Sequence, residues 1–248
     1  MSENTITPYK NSSKGKKQQV AQMFDSISGT YDGLNRVISL GSDIKWRKFV
    51  VEKVAEITPK RVLDVATGTG DLAIALSEIN GLNIVGLDIS EGMLSVGREK
   101  IQKKNLSDRI ELVSGDSENL PFADNYFDAV TVAFGVRNFE NLEKGLSEIY
   151  RVIRPGGRLV VLETSVPEKF PFRQGYFAYT KFIMPLIGKV FSKDRSAYTY
   201  LSKSASAFPY GKKFKAILDK IGYAQTKYYP KTLGGVATIY VGNKPNTL

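Results

Sequence analysis

Apolar positions follow two rhythms along this chain, and the two alternate. Short apolar runs of the kind made by strands buried on both faces occur at Arg61–Ala66, Asn83–Asp88, Arg109–Val113, Phe127–Ala133 and Arg158–Glu163. Between them the apolar residues recur at helical spacing. Leu72, Ala73, Ala75, Leu76 and Ile79 follow the first run, and Ser90 is placed to N-cap a helix reaching about Lys104 after the second. Leu142, Leu146, Ile149 and Ile153 form one helix face before the fifth, and that helix is expected to stop at Pro155-Gly156-Gly157. Strands separated by single helices predict right-handed parallel crossovers, hence an α/β fold with helices on both faces of the sheet. The end of the chain departs from this. Phe214, Ile217, Leu218 and Ile221 make a helix face, and the β-rich stretches Tyr223–Tyr229 and Val236–Val241 are joined by a short Pro/Gly link. So short a link suits an antiparallel pair at the sheet edge, giving a mostly parallel, seven-stranded sheet. Residues 1–19 are polar and predict a flexible tail, and residues 20–248 a single domain. Within it, 20–60 should form an N-terminal helical cap and 166–208 an insertion on the substrate side.

Composition removes several chemistries. With 42% apolar and 24% charged residues in 248, the chain is not mainly disordered. No apolar run reaches the ~18–20 residues that cross a bilayer, and the first residues hold no apolar stretch of a secretory signal, so a cytoplasmic protein is expected. Cysteine and histidine are both absent. Disulfides, thiolate nucleophiles and histidine-ligated metals are therefore excluded, no metal site is expected, and proton transfer falls to Asp, Glu, Tyr, Lys or water. Charge is segregated. Residues 1–60 carry ten Lys/Arg against six Asp/Glu, residues 61–165 eleven against sixteen, and residues 166–248 fourteen against three. The basic last third suits an anionic partner such as an acidic substrate, nucleic acid or anionic lipid, or is simply a solvated surface.

The sharpest local signal is Asp64-Val-Ala-Thr-Gly-Thr-Gly70, where a predicted strand turns into a helix. Thr67, Gly68 and Gly70 permit a tight turn and close approach of a ligand to the backbone. Asp64 lies within the first strand, where an acid can ligate a cationic or amino-bearing ligand. Asp88 ends the second strand, where a carboxylate can accept both ribose hydroxyls of a nucleoside cofactor. Gly68-x-Gly70-x-x-Ala73 also satisfies the loose dinucleotide fingerprint, so a nicotinamide enzyme remains a rival on this evidence. The simpler reading of Asp88, and of Asp116 after the third strand, is that each merely caps a helix or turn.

The ordered set comprising the glycine loop, Asp88, Gly115-Asp116-Ser117, Leu120-Pro121-Phe122 and Arg154-Pro155-Gly156-Gly157 resembles the class I S-adenosylmethionine-dependent methyltransferases. That resemblance implies a Rossmann-like fold, S-adenosyl-L-methionine as cofactor, Asp116 facing the adenine amino group and Ser117 the adenine edge. Further motifs are similar to the ubiquinone/menaquinone biosynthesis C-methyltransferase family: Met23-Phe24-Asp25, Tyr31-Asp32, Leu34-Asn35-Arg36, Ser39-Leu40-Gly41, Trp46-Arg47, Phe134-Gly135-Val136-Arg137-Asn138, Tyr198-x-Tyr200-Leu201-x-x-Ser204 and Phe208-Pro209. The ending Tyr229-x-x-x-Thr232-x-Gly234-x-Val236-Ala237 fits as well, and the resemblance covers roughly residues 20–244. It implies C-methylation of a polyprenyl hydroquinone, demethylmenaquinol to menaquinol, with the benzoquinol of ubiquinone biosynthesis as the alternative. Two positions depart from the pattern. Ala133 stands where many relatives carry Ser, leaving only backbone or methyl contact with the cofactor, and Ala205 stands where Ile is frequent.

The chemistry implied is methylation of an aromatic carbon, made nucleophilic when a neighbouring hydroxyl loses its proton. A phenol of pKa ~10 costs about 4 kcal/mol to ionise at pH 7 unless the site helps. Arg137 cannot be a base but can stabilise the phenolate or orient a water, and Asn138 can hold the water or the oxygen. These two are the expected catalytic pair; their simpler readings are Arg137 pairing with a surface acid and Asn138 capping a helix near Glu140. The run 176–191, apolar and aromatic but interrupted by Lys181, Pro185, Gly188 and Lys189, suits a lid over an apolar pocket, an interfacial segment against an anionic membrane surface, or an ordinary core helix. A nucleic-acid methyltransferase is disfavoured as a rival, because the turn after the fourth strand lacks the Pro-Pro-Tyr-like signature of amino-group base methylators. No nucleic-acid partner is expected, and a homo-oligomer is left open.

Overall fold

The computed structural model describes residues 6–9, 11–183 and 195–246. Its centre is a seven-stranded sheet in the order β3-β2-β1-β4-β5-β7-β6. The strands are β1 (Arg61–Val65), β2 (Asn83–Asp88), β3 (Ile110–Ser114), β4 (Phe127–Ala133), β5 (Ile153–Thr164), β6 (Ala224–Lys231) and β7 (Ala237–Asn243). β1 to β5 run parallel; β7 is antiparallel to both β5 and β6. The antiparallel pair thus sits at the predicted edge, with β7, the later strand, inserted between β5 and β6.

Alternate strand residues feed two cores, as a sheet covered on both sides requires. On one face Val62, Ile84 and Ala129 pack with α3 (Ser42–Ala55), α4 (Asp71–Leu76) and α5 (Glu91–Lys103). On the other, Leu63, Val130 and Val161 pack with α6 (Leu142–Val152) and a helix at Lys212–Ile221. A third, smaller core lies above the carboxyl ends of the strands. It joins α1 (Lys16–Ile27) and α2 (Tyr31–Ile38) of the cap, through Val20, Met23, Ile27 and Leu34, to Met93 and to Tyr200 of the Arg195–Ala207 helix.

Local signals explain most boundaries. Ser90 caps α5, its hydroxyl accepting from Met93 N–H. Two boundaries differ from expectation. α6 ends at Val152 and Ile153 already pairs with Phe127 of β4; the four residues from Arg154 to Gly157 form an irregularity in that ladder, so the apolar spacing ran one residue past the helix. α1 starts at Lys16, inside the stretch expected to be a tail, because distant partners hold it: Lys16 N–H donates to Glu140 Oε1 (3.0 Å) and Lys16 Nζ to Phe139 O (2.6 Å). After β5, α7 (Phe172–Ala178) leads into a π-helical turn at Tyr179–Ile183. The rest of the 176–191 run, Pro185 and its expected kink included, lies outside the described residues.

Candidate active site

The sheet order reverses between β1 and β4, and in open α/β sheets ligands bind at that crevice. The cleft there encloses about 670 Å³, its open mouth included, and is lined by Gly68, Asp88, Asp116, Ser117, Ala133 and Asn138 among others. Ligand pockets run to about 300–1,000 Å³.

Backbone geometry shapes the floor. Gly68 is left-handed (φ +58°), and a Cβ there would meet no atom within 4 Å, so its face toward the cleft is open to a ligand. Gly70 (φ +76°) turns the chain into α4 and does not line the cleft. Ala66 (φ 54°) and Phe134 (φ 56°), just beyond β1 and β4, hold the same strained conformation and both line the cleft. Strain of ~1–2 kcal/mol in each is retained where the backbone must present a surface.

Asp88 is held rigidly. Gly68 N–H donates to its Oδ2 (2.8 Å) and Ser90 N–H to its Oδ1 (2.9 Å). Burial raises its carboxyl above the usual range while these bonds pull it back. Asp116 accepts from Glu118 N–H (2.9 Å) and from Lys17 Nζ of α1 (2.6 Å). Through that bridge α1 forms one wall of the cleft, contributing Lys17, Val20 and Phe24. Its other end is fixed by Asp25, whose Oδ1 accepts from Ser90 Oγ (2.6 Å) and Gly92 N–H (2.9 Å). Asp32 of α2 accepts from Thr69 of the glycine loop (2.5 Å) and from Lys100 (2.7 Å). Two residues of the cap motifs read in the sequence thus anchor the cap, Asp25 to the start of α5 and Asp32 to the glycine loop.

Asp64 and Thr67 stand behind the cleft. Thr67 Oγ1 donates to Asp64 Oδ2 (2.6 Å) and Thr131 Oγ1 to Oδ1 (2.7 Å), which ties β1 to β4 beneath the loop. Burial lifts the Asp64 carboxyl to about 6, the two hydroxyls opposing. The folded chain therefore keeps a proton that the unfolded chain releases near pH ~4, and stability falls as pH rises from about 4 to 6. The shift of about two units corresponds to roughly 3 kcal/mol. Asp64→Asn should gain about that much relative to wild type between pH 4 and 7, read from urea midpoints; a constant difference across that range would refute this account.

Arg137 also stands behind the cleft. Its guanidinium is nearly buried and pairs with the fully buried Glu163 of β5 (Nη1 to Oε1, 2.5 Å), not with a surface acid. Nη1 also donates to Phe134 O (2.9 Å), on the cleft wall. Asn138 does line the cleft and accepts from Tyr200 OH (3.2 Å); the N-cap of α6 is Asn141 instead. Burial pushes the Tyr200 phenol up to about 12 and Tyr31 above its ordinary value, with Arg137 opposing both. Neither is suited to ionise near neutrality. Glu163 was missed by sequence reasoning; its one signal is an acid ending an apolar strand run, as Asp88 does. No group of acids able to hold a metal occurs among the described residues.

The structural relatives share this fold. A putative S-adenosyl-L-methionine-dependent methyltransferase of Methanococcus maripaludis superposes with a TM-score of 0.59 at 24% identity, covering 100% of this chain and 99% of its own. Phosphoethanolamine N-methyltransferase 2 of Haemonchus contortus gives 0.66 at 17%, covering 93% of this chain and 60% of its own. At these identities the likeness speaks for the fold. The sequence model of the ubiE/COQ5 methyltransferase family matches residues 12–244. The chain belongs to that family. Demethylmenaquinone methyltransferase of Bacteroides fragilis is 48% identical over 240 residues, 96% of this chain and 97% of its own length. The ubiquinone/menaquinone biosynthesis C-methyltransferase UbiE of Geotalea daltonii is 43% identical, covering 95% and 100%. The family model thus begins before α1 and takes in the cap as well as the sheet.

Proposed function

We propose that this protein methylates a ring carbon of a polyprenyl hydroquinone, demethylmenaquinol to menaquinol, using S-adenosyl-L-methionine. The observation that carries the reading is the cleft at the β1–β4 reversal, where an open glycine face and a doubly anchored acid, Asp88, stand together. When bound, the cofactor supplies an electrophilic methyl group and a thioether leaving group. The protein's part is alignment, dryness and help with one proton. Asp88 receives the ribose hydroxyls, Gly68 lets the nucleoside approach the backbone, and Asp116 and Ser117 meet adenine. Ala133 offers its methyl and backbone, while Asp64, Thr67 and Gly70 fix the loop from behind. Asn138 orients the quinol oxygen or its water from the cleft wall, and Arg137, directly behind that wall, supplies the positive charge that stabilises negative charge on that oxygen.

Transfer of labelled methyl to short-tailed demethylmenaquinol tests this, with a benzoquinol as a parallel substrate. Transfer to either supports a quinol methyltransferase, and the faster one names the ring. Absence of transfer to both, from protein that binds S-adenosylhomocysteine, would overturn it.

The same reading includes contact with an anionic membrane, where such a quinol resides. No described helix is long and apolar enough to cross a bilayer. Yet Phe170, Phe177 and Phe182 are 78, 49 and 61% exposed around α7, and Leu40 and Ile44 of the cap are 81 and 52% exposed. Tyr179 OH donates to Ile38 O (3.1 Å), which brings the two groups together, and Arg173 and Lys181 lie over the rings of Phe177 and Phe182. Exposed rings beside cations suit an interface, at about 1 kcal/mol per basic residue on anionic lipid. Co-sedimentation with anionic vesicles should be strong at low salt, weaker at high salt and weaker again in Phe177→Ser/Phe182→Ser. No sedimentation at low salt removes this part of the proposal.

A further inference from the structure

The pair Arg137–Glu163 is incompletely used. Glu163 Oε1 accepts from Arg137 Nη1 (2.5 Å), Thr164 N–H (2.7 Å) and Thr164 Oγ1 (3.1 Å). Its Oε2, and Nε of Arg137, are buried without any hydrogen-bond partner among the described residues. One is an acceptor and the other a donor. Leaving such atoms unmet costs about 1–3 kcal/mol each, and a pair retained at that cost calls for a function. A ligand hydroxyl can meet both at once, donating its hydrogen to Oε2 and accepting from Nε.

Neither side chain lines the cleft, but the pair lies directly behind its wall. Glu163 follows Leu162, the register partner of Ala133, whose side chain lines the cleft. It therefore stands at the carboxyl end of the strand next to the cleft, and Arg137 reaches the cleft wall through Phe134 O. The phenols in electrostatic reach of the pair come largely from the cap and the segment after β5 rather than from the sheet. The phenols that feel the Arg137 charge are Tyr31 of the cap, Tyr176 of α7 and Tyr200 of the Arg195–Ala207 helix, and Tyr240 of β7 feels the Glu163 charge. Three of those four belong to the cap and the insertion, the elements that must part to admit a bulky apolar substrate.

Resting on the quinol reading above, we propose that Glu163 is the base that takes the proton of the quinol hydroxyl beside the methylated carbon. The proton passes from that oxygen to Oε2, and the oxygen, now a phenolate, stays against Arg137. Its electron density moves into the ring, the ring carbon bonds to the methyl carbon, and the sulfonium sulfur keeps the electron pair of the broken carbon–sulfur bond. The ring then loses its own proton at that carbon to water, its C–H electron pair restoring the aromatic ring, and Glu163 returns its proton to the oxygen. One proton is released overall, and Glu163 ends as it began.

Glu163→Gln tests this, because it keeps the shape and the Oε1 contacts but cannot take a proton. Single-turnover methyl transfer should slow by about 100-fold, with S-adenosylhomocysteine affinity unchanged. The residual rate should recover as pH rises toward the phenol range, or with a naphthoquinol analogue whose hydroxyl is more acidic. A purely structural role would slow all substrates alike at every pH, and that result, or an unaltered rate, overturns the proposal. If the Gln variant does not fold, Glu163→Asp takes its place. It should be slower than wild type yet keep the wild-type pH profile, and a wild-type rate from it overturns the proposal. If wild-type protein methylates no quinol, the functional reading fails with it; if wild type is active and the variant equals it, only the role of Glu163 falls.

Discussion

Arg137→Ala should turn over about 100-fold more slowly than wild type, the usual loss for one donor at a developing oxyanion. The affinity for S-adenosylhomocysteine should barely change, because Arg137 is bonded to Glu163 and Phe134 O and not to the Gly68–Asp88–Ser90 cluster that should hold the nucleoside. The same substitution should destabilise the fold by about 3–5 kcal/mol, since it leaves a buried carboxylate without its counter-charge. Glu163 is fully buried and its cationic partner is Arg137 at 2.5 Å. The two effects separate experimentally: urea unfolding reads the second, and single-turnover transfer on folded protein, checked by circular dichroism, reads the first. Arg137→Lys keeps the charge but loses the fork geometry, and should restore more stability than rate. Unchanged turnover in folded Arg137→Ala would remove the residue from the mechanism.

Asp88→Ala should weaken S-adenosylhomocysteine binding by ~100-fold or more. Hydrogen bonds to a charged group contribute about 1.5–3 kcal/mol each, and loss of ~3 kcal/mol is already ~100-fold in affinity. The variant also strips Gly68 N–H and Ser90 N–H of their shared acceptor, which loosens the loop that should carry the nucleoside. Calorimetric titration measures the change; an affinity within a few-fold of wild type would mean that the acid serves the loop alone.

Where the sequence was readable, the physics was local. Parallel strands buried on both faces must be apolar at successive positions, so Val62 to Val65 and Phe127 to Ala133 declare themselves. The same locality made Ser90 recognisable as a cap. What escaped was tertiary. Lys16 begins a helix because of Glu140, 124 residues away, and no window of sequence contains both. Ile153 is buried whether it ends a helix or opens a strand, so apolar spacing could not separate the two. Ala66 and Phe134 take left-handed backbone with no glycine to announce it. Asp88 could be picked out beside a glycine loop, whereas Glu163 has no such neighbour, and only its unmet oxygen in the folded chain draws notice.

The wall of the cleft built by α1 is fastened at one end by two lysines and at the other by one aspartate. Its apolar face, Val20, Met23 and Ile27, packs into the small third core with Met93 and Tyr200 rather than into the two cores of the sheet, so parting the helix costs that core and its polar ties while the strands stay paired. Displacing this one helix would remove Lys17, Val20 and Phe24 from the cleft and leave the strands that floor it in place. A substitution in the ties of α1 should therefore act more on how fast a ligand enters and leaves than on the pairing of the strands.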